Sequence, residues 1–168
     1  DIFLLKPKGW LEEFAEKYPK EIGLPLYCNI RPELVNEKTG YLLKKIGCLR
    51  AAMGIECGNN EVAKKVLKRN TTNEKIVDAV RILKKNNVKI KIHNIIGLPV
   101  KDPLKVDFET LDFNIKLKPH VAGCSILYPY PGTEVSHLAK EMGMFDGNHE
   151  KVQISNKSSS NMQFGSKK

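Results

Sequence analysis

Residues 48–59, Cys-Leu-Arg-Ala-Ala-Met-Gly-Ile-Glu-Cys-Gly-Asn, read as a buried strand that carries a carboxylate, Glu56, just before a Gly-Asn break. A charge at the end of a buried strand is costly unless it has a partner. The same layout recurs at Lys89-Ile-Lys-Ile-His-Asn-Ile-Ile-Gly-Leu-Pro99 and at Gly123-Cys-Ser-Ile-Leu-Tyr-Pro-Tyr-Pro-Gly-Thr133. Three strands that end in polar, Gly-rich or Pro-rich mouths predict an α/β fold with its site at the carboxyl ends of the strands.

Outward from that stretch, strand and helix patterns alternate. Upstream, Asp1 to Leu5 reads as a strand cut near its end, Trp10 to Tyr18 as an amphipathic helix, Leu24 to Ile30 as a strand closed by Arg31-Pro32, and Glu33 to Ile46 as a helix. Gly47 stands where a helix C-cap wants glycine. Downstream, Glu61 to Lys68 is helical, with Val62, Val66 and Leu67 inward. Thr71-Thr72-Asn73-Glu74 has the form of a capping box, and Ile76, Val77, Val80 and Leu83 follow at helical spacing. Val88 to Gly97 predicts a strand, Phe108 to Leu117 a helix with Leu111, Ile115 and Leu117 on one side, and His120 to Leu127 a last strand. Such alternation predicts parallel strands joined by helical crossovers. Five strands would make part of a barrel rather than a closed one. From about Gln153 the composition turns to Ser, Asn and Lys, so residues 1–150 are expected to form the barrel part and residues 151–168 a polar tail or the start of a further segment.

The composition narrows the class. At 168 residues the chain can bury a full core. The net charge of +9 comes largely from lysines on helix faces, such as Lys44-Lys45, Lys64-Lys65 and Lys84-Lys85, and reads as solvated surface rather than a nucleic-acid footprint. No apolar stretch is long enough to cross a bilayer and no signal-peptide pattern opens the chain, so a cytoplasmic protein is expected. Cys28, Cys48, Cys57 and Cys124 show no CxxC pair and are expected to be buried thiols. The phosphate-binding GxGxxG and GxxxxGK[ST] patterns are absent, as are HExxH and GxSxG.

Six motifs in order carry a family resemblance. They are Ile30-Arg31-Pro32-Glu33, Gly47-Cys48, Met53-Gly54-Ile55-Glu56-Cys57-Gly58-Asn59, Val66-Leu67-Lys68-Arg69, Ile95-Ile96-Gly97-Leu98-Pro99 and Tyr128-Pro129-Tyr130-Pro131-Gly132-Thr133-Glu134, preceded by Asp1-Ile-Phe. Over Asp1 to about Gly143 the chain resembles the radical S-adenosylmethionine (radical SAM) superfamily, and more narrowly the branch whose members commonly carry a cobalamin-binding domain ahead of the barrel. The resemblance implies a partial (β/α)6 TIM-like barrel with parallel strands, truncated at the N-terminus. It implies a 4Fe-4S cluster held by a CxxxCxxC loop after the first strand. That loop is absent here, so the cluster ligands are expected upstream of Asp1. It further implies that one electron cleaves S-adenosylmethionine to a 5'-deoxyadenosyl radical, for methylation, cyclisation or rearrangement of a small-molecule substrate. Flavodoxin or ferredoxin is the expected electron donor, and cobalamin a further cofactor. Two rival readings are a tRNA- or RNA-modifying relative and a non-catalytic α/β scaffold that has lost the cluster.

The resemblance also assigns residues. Glu56 is expected to accept the ribose hydroxyls of S-adenosylmethionine, the alternatives being a structural salt bridge or a helix cap near Asn59-Asn60. Arg69 is expected to reach the methionine carboxylate, or else to compensate a helix dipole. Asp1 supports the methionyl amino group. Gly97-Leu98-Pro99 lets backbone pass close to the adenine, with Ile95 or Ile96 against its face, unless it is only a turn. Asn94 or His93 faces the interior to bond ribose or substrate, and Asn29 and Arg31 occupy the mouth of the earlier strand, where Arg31 could instead brace a loop. Tyr128 and Tyr130 are expected to form a proline-stiffened lip over the adenine or an apolar substrate, or else a structural corner. Cys57 and Cys124 are assigned no role, no catalytic residue is named, and no metal ligand is placed in this chain.

Overall fold

The computed structural model describes residues 9–150 and 160–164, so the expected strand at Asp1 to Leu5 lies outside the described residues. Among the described residues four strands, β1 (Leu26–Asn29), β2 (Cys48–Glu56), β3 (Lys89–Ile96) and β4 (Val121–Ile126), form one open sheet in the order β1-β2-β3-β4. The strands are parallel, and in the β1/β2 pair Leu26 lies opposite Cys48 and Asn29 opposite Ala52, with a register shift after Leu26. Six helices connect and flank them: α1 (Trp10–Glu21), α2 (Glu37–Ile46), α3 (Asn60–Lys65), α4 (Asn73–Lys85), α5 (Pro103–Leu117) and α6 (Glu134–Glu141).

The local chemistry explains most boundaries. α1 runs past Pro19 to Glu21, and Gly23 then takes a left-handed φ of 64° while its amide donates to the Tyr18 carbonyl at 2.9 Å. The helix expected from Glu33 splits in two, because Pro32–Leu34 closes as a 3-10 turn and Asn36 caps a fresh helix by accepting from the Thr39 amide. Gly47 is the left-handed C-cap of α2. The N-cap of α4 is Thr72, one residue later than the Thr71 of the expected box. Thr71 is drawn away because its hydroxyl donates to Glu33 Oε2 at 2.6 Å. α6 was not foreseen from the sequence. Thr133 starts it by accepting from the Ser136 amide at 3.2 Å.

The chain divides into two compact units. One comprises Asp1–Ile55, Thr71–His93 and Asn114–Gly123, the other Glu56–Asn70, Asn94–Phe113 and Cys124–Lys168. In the first, Leu43, Ile46, Met53, Leu83, Ile90 and Ile92 are fully buried, and Ala15 of α1 packs on Leu42 and Ile46 of α2. In the second, Cys57, Leu98, Val106, Leu127, Phe145 and Met162 make the core. Each such side chain contributes about 1.5–3 kcal/mol by leaving water. Met162 and the other described residues of the range read as a polar tail, 160–164, make contacts with the rest of this unit. The Ser160 hydroxyl donates to the Leu127 carbonyl, and the Gln163 amide donates to the Met144 carbonyl at 2.7 Å.

Two burial expectations change. Leu111 and Ile115 of α5 are exposed, and the packed face is instead Val106, Thr110, Phe113, Asn114 and Leu117. The helix is apolar on two sides, so periodicity alone picks the wrong one. Cys28, Cys48 and Cys57 are buried as expected, but Cys124 is exposed because β4 is an edge strand with one flank uncovered among the described residues.

Candidate functional site

Glu56 ends β2 with a left-handed φ of 63°, a conformation that L residues other than Asn and Asp seldom take. The chain then turns through Cys57-Gly58-Asn59 into α3. Gly58 is locked in place: its amide donates to Thr110 Oγ1 at 2.9 Å, and a Cβ there would stand 2.8 Å from the Thr110 Cα. The Asn59 side chain caps α3 by accepting from the Val62 amide, and its Nδ2 donates to Glu109 Oε2 at 2.5 Å. Asn59 therefore does the capping, which leaves Glu56 free of that role. After α3 the chain turns at Lys68, φ 51°, and the Arg69 amide donates to the Ala63 carbonyl at 3.0 Å. These turns bring the Arg69 guanidinium to Glu56, with Nη2 2.8 Å from Oε1.

The pair is partly sheltered, the side chains being 30% exposed for Arg69 and 23% for Glu56. Burial pushes the Glu56 carboxyl above its ordinary range, more than the charge and hydrogen bond of Arg69 pull it down. The ion pair thus leaves the desolvation of this carboxylate under-compensated. Among the described residues no second donor reaches Glu56.

A second group forms at the end of β3. Gly97 has φ 74°, and its amide donates to both oxygens of Asp107 at 3.1 and 3.2 Å. Burial pushes the Asp107 carboxyl up, against the lowering effect of that amide. The Phe164 ring lies over Gly97 so closely that a Cβ there would be 2.5 Å from the ring's Cζ. Leu98 and Pro99 are fully buried, so at this turn backbone and ring are what remain to meet a ligand.

A third feature is a cavity of about 240 Å³ lined chiefly by Leu67, Ile95, Leu127, Tyr128, Tyr130 and Val135. Its wall is almost wholly apolar. The rings of Tyr128 and Tyr130 lie 4.9 Å apart and tilted. All three features belong to the second unit.

The structure sorts the remaining sequence-derived residues. Of the two candidates against an adenine, Ile95 lines the cavity, whereas Ile96 gives its carbonyl to the Leu127 amide at 2.9 Å. Asn94 is 6% exposed and alternates with Ile90 and Ile92 on the buried face of β3, while His93 is exposed. Arg31 pairs with Glu33, which also accepts from Thr71, so it braces the turn before α2 within the first unit. Asn29 is exposed at the end of β1. Asp1 lies outside the described residues. The Cys57 thiol is pushed up by burial and stays protonated at neutral pH. Asp107 and Phe164 escaped the sequence reading, since neither sits in a motif and Phe164 meets Gly97 across a long stretch of chain.

The described residues fit the two implied cofactors differently. A carboxylate in want of donors, a neighbouring guanidinium and an apolar cavity are what an adenosyl sulfonium amino acid needs. No group of three or more His, Cys, Asp or Glu side chains that could hold a metal ion occurs among the described residues, so the iron–sulfur cluster has no seat among them.

A parallel β/α sheet with a polar carboxyl-end site defines an α/β protein with a partial-barrel arrangement. A sequence model of the radical SAM superfamily matches residues 5–107, and the chain belongs to that superfamily. An uncharacterized protein of Methanocaldococcus jannaschii is 31% identical over 110 residues, which is 66% of this chain and 21% of that protein. The chain therefore spans about a fifth of the length of that relative. The radical S-adenosylmethionine methyltransferase TsrM of Kitasatospora setae, with cobalamin and a [4Fe-4S] cluster bound, superposes with a TM-score of 0.57 at 19% identity, covering 69% of this chain and 24% of TsrM. Coproporphyrinogen III oxidase (HemN) of Escherichia coli, a radical SAM enzyme, gives 0.57 at 17% identity, covering 72% and 28%. These likenesses show the shared fold. No helix among the described residues is long and apolar enough to cross a membrane.

Proposed function

We propose that this chain is the S-adenosylmethionine-binding part of a radical SAM enzyme that acts on a small-molecule substrate, with a cluster held by sequence outside it. The observation that carries this reading is the Glu56–Arg69 pair, whose carboxylate remains short of donors after its salt bridge. Two ribose hydroxyls supply those donors, and the planar guanidinium of Arg69 suits the methionine carboxylate. The apolar cavity beside Ile95 and Tyr130 shelters an aromatic or aliphatic group from water. When bound and reduced, S-adenosylmethionine supplies the family's hydrogen-abstracting radical, and the residues here bind it, orient it and exclude water. Cobalamin is proposed as a second cofactor on the likeness to TsrM, and an electron donor of the flavodoxin or ferredoxin type on family membership.

Calorimetric titration of the 168-residue chain with S-adenosylmethionine and with S-adenosylhomocysteine tests the reading. Binding of either, weakened more than about tenfold in Glu56→Ala, is the expected result, since each tenfold is about 1.4 kcal/mol. An unchanged affinity in that variant, or no binding of either ligand, overturns it.

A further inference from the structure

The outer side of α5 is the largest feature that the cofactor reading leaves unused. Leu104, Phe108, Leu111 and Ile115 are 64%, 57%, 51% and 60% exposed. They follow one another at intervals of four, three and four residues, the a/d spacing of a coiled-coil seam. This helix already buries Val106, Thr110, Phe113 and Leu117 on its other side, so the exposed row is surplus to its own packing. A contiguous apolar row on a helix is a signature of association.

Charge identifies the occupant. Lys105 and Asp112 flank the row on the same side, one heptad apart, and neither side chain has an ion-pair partner among the described residues. Elsewhere Glu13 of α1 is paired with Lys17 and Glu61 of α3 with Lys65. If a second α5 lies antiparallel, Phe108 meets Leu111 of the other copy and Leu104 meets Ile115. Lys105 then faces Asp112 twice, once on each side of the two-fold axis. A parallel pairing does not bring Lys105 to Asp112 and leaves both unmatched. We infer that α5 is a self-complementary surface on which a second copy of this chain docks antiparallel, as an isologous dimer.

The row offers on the order of 400 Å² per copy, about half of the ~800 Å² per partner in a standard interface, so the association is weak and reversible. Sedimentation equilibrium on the full chain from about 5 to about 500 µM reads it directly. The expected result is a monomer–dimer equilibrium within that range, weakened at least tenfold by Phe108→Asp. Lys105→Asp and Asp112→Lys each weaken it several-fold as single variants, whereas the two singles mixed together, or the double variant alone, restore it. Far-ultraviolet circular dichroism checks that each variant is folded, and the charge variants keep the test alive if Phe108→Asp is not. A chain monomeric throughout, or a dimer indifferent to Phe108→Asp, overturns the docking surface. A dimer that the mixed charge variants fail to restore overturns the antiparallel arrangement, and a partner of other origin found on α5 displaces the second copy as its occupant.

Discussion

Carboxylates in two regions of this chain live under opposite conditions. On α1 and α2, Glu12, Glu13, Glu16 and Glu37 face water, each with a lysine partner whose hydrogen bond holds the carboxyl below its ordinary range. At the ends of β2 and the start of α5, Glu56 and Asp107 are pushed above theirs by burial. The first set contributes to folding as acids normally do: its stabilisation is present above pH 4.5 and lost as pH falls through the depressed values. The second set has the opposite sign. Its contribution is full below the unfolded values of 4.5 and 3.8 and is lost as pH rises through the elevated folded ones. Surface acids therefore serve the fold, while the strand-end acids cost it something near neutral pH. A ligand that hydrogen-bonds them offsets that cost.

The sharpest way to break this contrast is Arg69→Ala. It strands a partly buried carboxylate, is expected to lower stability by about 1–3 kcal/mol in urea unfolding, and drives the Glu56 carboxyl further up in a carbon-13 titration. A Glu56 that titrates in the ordinary range in that variant would break the argument from burial. Next comes Gly97→Ala, which meets both the left-handed φ and the Phe164 ring and is expected to cost about 1–2 kcal/mol. Pairing it with Phe164→Ala should recover the part due to the ring and none of the part due to φ, as thermal unfolding of the double variant will show. Asp107→Asn keeps an acceptor for the Gly97 amide and removes the buried charge. Stability should move by less than about 1 kcal/mol, with a flatter dependence on pH between 4 and 7. Smallest of all is Glu37→Gln. Its melting temperature should match the parent's, because exposed pairs to Lys85 and Arg81 add little in water.

Parallel α/β order and the three strand-end mouths were legible in the sequence, because each rests on alternation along a strand, whereas Glu56 and Arg69 were singled out separately and their ion pair comes from the fold. What was not legible depends on distant chain. Thr71 and Thr72 are equivalent as caps until Glu33, far upstream, claims one hydroxyl. Leu111 and Ile115 fit an inward face as well as Val106 and Phe113 do, and packing alone decides between them. Phe164 carries no pattern of its own. It acquires a role through Met162, Ser160 and Gln163, which tie that stretch to the second core.

The backbone of Glu56 has a consequence for anyone improving this protein. A side chain held at φ 63° sits where glycine would be more comfortable by roughly 1 kcal/mol. A screen that rewards heat resistance alone will drift toward Glu56→Gly, gaining melting temperature while discarding the carboxylate that we propose captures S-adenosylmethionine. Robustness and ligand affinity pull against each other at this single position, and melting curves recorded with and without S-adenosylhomocysteine will separate the two.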